Sequence, residues 1–409
     1  MTMHSLSRIL MLAAALIFAA GAHALTVPLN RGLLTNDTYQ RLSSAQHMIE
    51  NGSYDDALTR LNSLISRVQS NGYEYAVTLQ NIAYVYISRG DYNSALPYMN
   101  RAMRENAMPP SAQRQLVLDL GKLYARTGQY SDAQRVMNVY LKAESNPPAD
   151  ADMLIATVDA KLGQCHSALP YAKRAADKNS EAPESWYQLW IACAYSTKQF
   201  SSAVDGLYAA LERWPDKADY WRQLGQTYAQ DGDDDKALGV FALMYRRGLA
   251  QSEQDYLNLV SLYMHNNEPY EAANVLQKGL DAGTVAANEN NYDLLAATWL
   301  DAREYDKAIT SLGQAAKYAK TGDTYLKQAQ LYQQSHEWFS VVKATQRALQ
   351  KGSLRRPGRA WLLQGVAQAE NKQYPEAATA LKEAAKYEDV RGEAEAWLRF
   401  INARAGQTF

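Results

Sequence analysis

Few side chains in this sequence are spaced for chemistry. Beyond residue 24 the histidines are His47, His166, His265 and His336, and no two share a metal-ligand spacing such as H-x-x-x-H. His336-Glu337-Trp338 lacks the second histidine that a zinc protease needs. Neither the G-x-S-x-G of a nucleophile elbow nor a phosphate-cradling P-loop occurs. Asp231-Gly232-Asp233-Asp234-Asp235 invites a calcium reading. A calcium loop, however, needs Gly at its sixth place and Glu at its twelfth, and Lys236 and Ala242 stand there. Acidic residues opening a helix, favoured by its dipole, account for the run better. The expectation is therefore no catalytic, metal or cofactor site, and a chain that is not an enzyme. Lys351, Arg355, Arg356 and Arg359 form a basic turn. A solvated loop is the ordinary reading of such a turn, and a contact for an acidic partner segment is the sharper one.

Composition narrows the classes further. The chain has 409 residues, with 42 basic and 43 acidic ones, for a net charge of −1. That balance argues against a phosphate-tracking nucleic-acid binder, which needs a basic face, and against a polybasic membrane anchor. The apolar fraction of 47% is that of an ordinary folded protein. The first residues read as an export signal: Arg8 in a basic n-region, an apolar run from Ile9 to Ala20, and the small-x-small site Ala22-His23-Ala24. The run is shorter than the roughly 20 residues of a membrane span. Cleavage is expected after Ala24, giving a protein that is not embedded in a membrane, with a bacterial periplasm as the expected compartment. No Cys sits near the cut to carry a lipid.

The elements that must position any binding residues come from a repeat. Gly52-Ser53-Tyr54-Asp55-Asp56-Ala57-Leu58 returns as Gly90-Asp91-Tyr92-Asn93-Ser94-Ala95-Leu96, as Gly128-Gln129-Tyr130-Ser131-Asp132-Ala133, and as Gly163-Gln164-Cys165-His166-Ser167-Ala168-Leu169. Weaker copies end at Ala203, Ala237, Ala273, Ala308, Val341 and Ala377, so the period is 33 to 38 residues. Twelve places before each marker lies another residue, usually small: Ala45, Ala83, Gly121, Ala156, Gly225, Ser261, Ala296, Ala329 and Gly365, with Ile191 the departure. Two helices joined by a tight turn approach closely where both carry small side chains. The Gly or polar residue between them ends the first helix. Trp221, Tyr228 and Phe241 share a buried face, and Tyr86, Tyr124 and Tyr332 take repeat-fixed core places, so packing accounts for most of the 28 tyrosines. Pro109-Pro110, Pro147-Pro148, Pro183 and Pro215 fall between copies, where a second helix must stop. Pro97 and Pro170 lie inside second helices and are expected to bend them.

These residues resemble the tetratricopeptide repeat, a helix-turn-helix of about 34 residues. The copy with Trp221, Leu224, Gly225, Tyr228, Ala237 and Phe241 fits it at nearly every fixed place. The resemblance implies an all-α solenoid of ten helix pairs forming a right-handed superhelix. The expected organisation is a signal peptide over 1–24, an extension over 25–36, ten repeats over 37–388, and a capping helix and tail over 389–409. The cap is read from Gly392 to Ala405, with Ala396, Trp397, Phe400 and Ile401 apolar.

The only cysteines, Cys165 and Cys193, fall near the start of a second helix and near the end of the next first helix. Those helices are antiparallel neighbours and the expected compartment is oxidising, so a disulfide is expected. By the repeat pattern a concave face for a partner peptide takes Lys122, Arg126, Gln188, Tyr195, Arg222, Gln226, Asn258, His265 and Asp293. Amides and an arginine there suit hydrogen bonding to an extended backbone.

The sequence also resembles exported repeat proteins found beside the TonB, ExbB and ExbD energy-transduction components of Gram-negative bacteria. The resemblance rests on Ala107-Met108-Pro109-Pro110, on Glu184-Ser185-Trp186-Tyr187-Gln188-Leu189, and on Arg213-Trp214-Pro215 with Tyr220-Trp221. It rests also on Tyr245-Arg246-Arg247-Gly248-Leu249 and Arg355-Arg356-Pro357-Gly358. It implies a periplasmic accessory protein whose partner is the transducer or an outer-membrane receptor during uptake of iron complexes or similar nutrients. The basic turn of Arg355, Arg356 and Arg359 would belong to that contact. A scaffold in envelope assembly or polysaccharide export is the alternative.

Overall fold

In the computed structural model, residues 27–68 and 72–405 are described. The expected export signal lies outside them. The chain divides into two compact units, Met1–Pro215 and Asp216–Phe409, and every regular element among the described residues is helical. The division falls where the sequence shows no break in period, between the markers Ala203 and Ala237. Among the described residues no helix is long and apolar enough to cross a membrane.

The first unit opens with a short 3-10 turn, Arg31–Leu33, and continues as five helix pairs. These are α1 (Asn36–Glu50) with α2 (Tyr54–Ile65), α3 (Gly72–Ser88) with α4 (Tyr92–Glu105), α5 (Pro110–Arg126) with α6 (Tyr130–Ala143), α7 (Ala149–Lys161) with α8 (Cys165–Lys178), and α9 (Glu184–Ser196) with α10 (Phe200–Arg213). The second unit repeats the scheme. Its pairs are α11 (Ala218–Asp231) with α12 (Asp234–Arg246), α13 (Glu253–His265) with α14 (Pro269–Asp281), α15 (Glu289–Asp301) with α16 (Tyr305–Tyr318), α17 (Asp323–Gln334) with α18 (Trp338–Lys351), and α19 (Pro357–Glu370) with α20 (Tyr374–Ala384). A last helix, α21 (Arg391–Ala405), follows.

The turn inside each pair explains why the helices stop where they do. The residue five places before the marker adopts a left-handed backbone, with φ near 75–84° at Gly52, Gly90, Gly128, Gly163 and Gly232. In the other copies Lys198, Asn267, Arg303, His336 and Lys372 hold the same conformation. Asn267 corrects the phase of the seventh copy. It lies five places before Ala272, and the N-cap Glu268 lies four before it, as Asp91 does before Ala95. The marker is therefore Ala272, not Ala273, and its partner twelve places back is Val260, not Ser261. Val260 is buried, whereas Ser261 is exposed. Two adjacent alanines, both buried, hide the phase in the sequence; the turn geometry reveals it.

All ten markers are without solvent exposure, including Val341. The small residue of the first helix does not face the marker alone. At Gly121, Gly225 and Gly365 the space a Cβ would take is held by Met137, Phe241 and Leu381, each four places past the marker. Small thus meets large one turn further on. In the fifth pair the sizes are exchanged. Ile191 takes the small residue's place, and Gly206 on α10 receives it, with a Cβ there standing 3.0 Å from Ile191 and 3.1 Å from Trp190.

The inter-repeat prolines open the following helix as well as stopping the preceding one: Pro109, Pro148 and Pro183 are the N-caps of α5, α7 and α9. Helices α4 and α8 run on through Pro97 and Pro170, both on exposed faces. The terminal helix buries Ala394 and Ile401 and half-buries Trp397 and Leu398. Ala396 and Phe400, expected on its apolar face, stand exposed. The buried stripe is rotated by roughly 80° about the helix axis, at about 100° per residue, so that Ala394 and Leu398 face inward instead.

Candidate functional site

The expected groove residues all lie on first helices. In the first unit Lys122 and Arg126 are on α5, and Gln188 and Tyr195 are on α9. Lys122, Gln188 and Tyr195 are half-buried and Arg126 is exposed. Each has a partner within the first unit. Lys122 approaches Asp119 at 3.7 Å, the Arg126 guanidinium lies 4.1 Å from the Tyr92 ring centre, Gln188 donates to Glu184 at 3.1 Å, and Tyr195 meets Phe200 edge-on.

In the second unit Arg222 and Gln226 lie on α11, Asn258 and His265 on α13, and Asp293 on α15. Counting from Ala273 puts Asn258 and His265 on the row; counting from Ala272 puts Leu257 and Met264 there. A shift of one residue turns a helical side chain by about 100°. His265 accordingly stands exposed and pairs at 3.3 Å with Asp234, the first residue of α12. Asn258 accepts from Gln254 at 2.7 Å.

Ion pairs between successive first helices were not foreseen from the sequence. The Arg222 Nε donates to Asp255 on α13 at 2.6 Å, and its Nη1 donates to Asp219. Lys327 on α17 donates to Asp293 on α15 at 2.5 Å. Thr324 donates to Glu289 at 3.2 Å, and Asn291 donates to Glu253 at 2.7 Å. These contacts stitch α11, α13, α15 and α17 in series. Asp255 is the most buried charged member. Its Oδ2 accepts from the backbone of Gln251 and Ser252, and Ser252 Oγ accepts from the Asp255 backbone in a capping box. Burial opposes its ionisation, but hydrogen bonds from Ser252 and Arg222 outweigh this and hold the carboxyl below its ordinary value. Ser252-x-x-Asp255 is the sequence signal that could have found it.

The basic turn is similarly engaged. Arg355 donates to Asp323 through both its backbone N–H (3.1 Å) and Nε (3.2 Å), and Arg359 reaches Glu393 on α21 at 3.2 Å. Arg356 stands exposed as the N-cap of α19. Such surface pairs are worth about 0–1 kcal/mol each and exchange partners readily.

Two aspartates of the acidic run are engaged at the start of α12. Asp233 caps α12, accepting from the Lys236 N–H at 3.1 Å and its Nζ at 2.6 Å, which holds its carboxyl below the usual range. Asp235 accepts from Asn266 at 3.4 Å. Among the described residues no three His, Cys, Asp or Glu side chains gather as a metal site. Tyrosines pack as expected. Tyr86 stacks on Tyr98, and Tyr124 exchanges hydrogen bonds with Asn100 at 2.7 and 3.0 Å.

Cys165 at the start of α8 and Cys193 near the end of α9 are joined as a disulfide, with Cα atoms 4.8 Å apart. It links two successive repeats of the first unit, as the antiparallel placement requires.

The profile of the tetratricopeptide-repeat family matches residues 86–158, and a second profile of that family matches residues 194–252 and 326–394. No curated protein sequence matches the chain. Among solved structures it is similar to YrrB, described as a repeat protein of this kind with an unusual peptide-binding site. Identity is 25% over 44% of this chain and 89% of that one, with a TM-score of 0.36. A tetratricopeptide-repeat protein from Parabacteroides merdae shares 18% identity over 63% of this chain and 98% of its own, at a TM-score of 0.35. The repeat domain of P58(IPK) shares 14% over 91% and 99%, at 0.26. Among the described residues the chain thus carries ten tetratricopeptide-like helix pairs, and the family's profiles match within the second to sixth and the ninth and tenth of them.

Proposed function

We propose that this chain is a periplasmic adaptor that binds a partner protein along its first helices, as an accessory of a TonB-type nutrient-uptake system. The observation that carries the binding reading is the row of half-buried polar side chains on those helices, Lys122 and Gln188 in one unit and Arg222, Gln226 and Asp293 in the other. Half-buried amides and charges are fixed in direction by their neighbours yet keep donors and acceptors toward solvent, which suits an extended peptide backbone. The compartment rests on the export signal, and the TonB link rests on the sequence stretches that resemble exported proteins of that system.

Affinity capture with the tagged chain from a periplasmic extract tests it. The expected result is recovery of transducer proteins or an outer-membrane receptor, reduced by Gln188→Ala combined with Gln226→Ala at unchanged helical content. Recovery of secretion or polysaccharide-synthesis components without transducer proteins would overturn the TonB reading. Undiminished recovery by the double variant would overturn the groove.

A further inference from the structure

A cavity of about 220 Å³ lies in the first unit between α6 and α8, the second helices of two successive repeats, with α7 beneath. Met137, Leu141, Ile155 and Tyr171 line one part of it, and the polar side chains of Gln134, Asn138 and Ser167 line another. Its mouth carries the exposed Asn138 and Ser167. Within it lies Asp159, only 5% exposed. Gln134 Nε2 donates to one Asp159 oxygen at 2.7 Å. Among the described residues no cation pairs with the carboxylate, and burial, opposed by the Gln134 hydrogen bond, pushes the acid above its ordinary range. The position compounds the cost. Asp159 sits in the last turn of α7, where helix carbonyls point and a positive charge is favoured. A cavity in which apolar side chains lead to a carboxylate held by one neutral donor is complementary to an aliphatic stem that ends in a cation.

We propose that this cavity receives a lysine side chain of a partner protein, at a docking point on the second-helix face, separate from the first-helix row. The volume supports a side chain over a cofactor, because pockets for drug-sized ligands measure about 300–1,000 Å³. One carboxylate oxygen already accepts from Gln134, so a point ammonium fits better than the two-pronged guanidinium of arginine.

The test uses the chain from Leu25 onward with ¹³C-labelled Met and Ile methyl groups, titrated with the peptide Gly-Lys-Gly. Saturable shifts of the Met137 and Ile155 methyls are expected, with no shift at Met99. The norleucine counterpart, Gly-norleucine-Gly, should leave both methyls unmoved. Asp159→Asn keeps an acceptor for Gln134 and should weaken the lysine peptide about tenfold, the difference between a charge-assisted and a neutral hydrogen bond. Equal binding of the norleucine peptide, undiminished binding by Asp159→Asn, or no saturable shift would each overturn the proposal. So would saturation by butylammonium with exclusion of the peptide, which would make the cavity a site for a free amine.

Discussion

Phe241 packs onto the backbone of Gly225 so closely that an added Cβ would stand 2.4 Å from its ring. The contact joins α11 to α12 and fixes the spacing of that pair. Gly225→Ala sets two effects against each other. Helix propensity favours alanine by about 0.5–1 kcal/mol, whereas overpacking a full contact costs about 1–3 kcal/mol. The ring is rigid, so the clash should win. Chemical denaturation should show a net loss, and a gain in stability would refute the close contact.

The exchanged pair of Ile191 and Gly206 gives a coupling test. Ile191→Ala should cost about 2–5 kcal/mol through the cavity it leaves. Gly206→Ala alone should change stability little, because a helix-propensity gain of about 0.5–1 kcal/mol is set against the pressure of its Cβ on Ile191 and Trp190. Together, the alanine at 206 partly fills what the alanine at 191 vacates. A double-mutant cycle should therefore show the pair costing less than the sum, by about 0.5–3 kcal/mol. Strict additivity would mean that the two side chains do not share space.

The seventh copy distinguishes the two phases. Ser261→Glu should change stability by no more than about 0.5 kcal/mol, as an exposed substitution does. Val260→Glu should destabilise by more than about 3 kcal/mol, since it buries an unpaired charge. Thermal melts of the two variants decide it; the reverse order would restore Ala273 as the marker.

Asp255 and Arg222 predict an acid dependence. The Asp255 carboxyl is held below its ordinary value in the folded chain. Its contribution is therefore complete above the unfolded value, near 4, and is lost as pH falls through the lower folded value. Arg222→Ala should cost about 1–3 kcal/mol at neutral pH by leaving the 1%-exposed carboxylate with one donor fewer. That cost should shrink as pH falls below the ordinary carboxylate value and the acid protonates. A cost independent of pH would show that the pairing contributes nothing. The same pair makes Arg222→Glu unsuitable for probing the groove, because it would set a second carboxylate against Asp255.

The Cys165–Cys193 bridge closes a span of 28 residues. By the chain-entropy model its removal should cost on the order of 3 kcal/mol. Cys165→Ser with Cys193→Ser should lower the unfolding midpoint of the first unit, and alkylation of unreduced protein should label neither cysteine. Two labelled cysteines in the unreduced chain would refute the bridge.

The sequence by itself determined the repeat, the helix pairing, all but one of the marker alanines and the cysteine pairing. Each is written as a residue type at a fixed period, and helix geometry turns a fixed period into a fixed face. Tertiary structure alone decided three things. It set the phase at Ala272 and Ala273, because adjacent alanines are interchangeable until the left-handed turn at Asn267 chooses between them. It showed that Gly225 answers Phe241 and Gly206 answers Ile191, because which side chain fills a gap depends on how two helices cross. It also tied Arg222 to Asp255 and Lys327 to Asp293 and, among the described residues, left Asp159 without a cation. Charge pairing between residues more than thirty positions apart follows from distance in space, which no local pattern encodes.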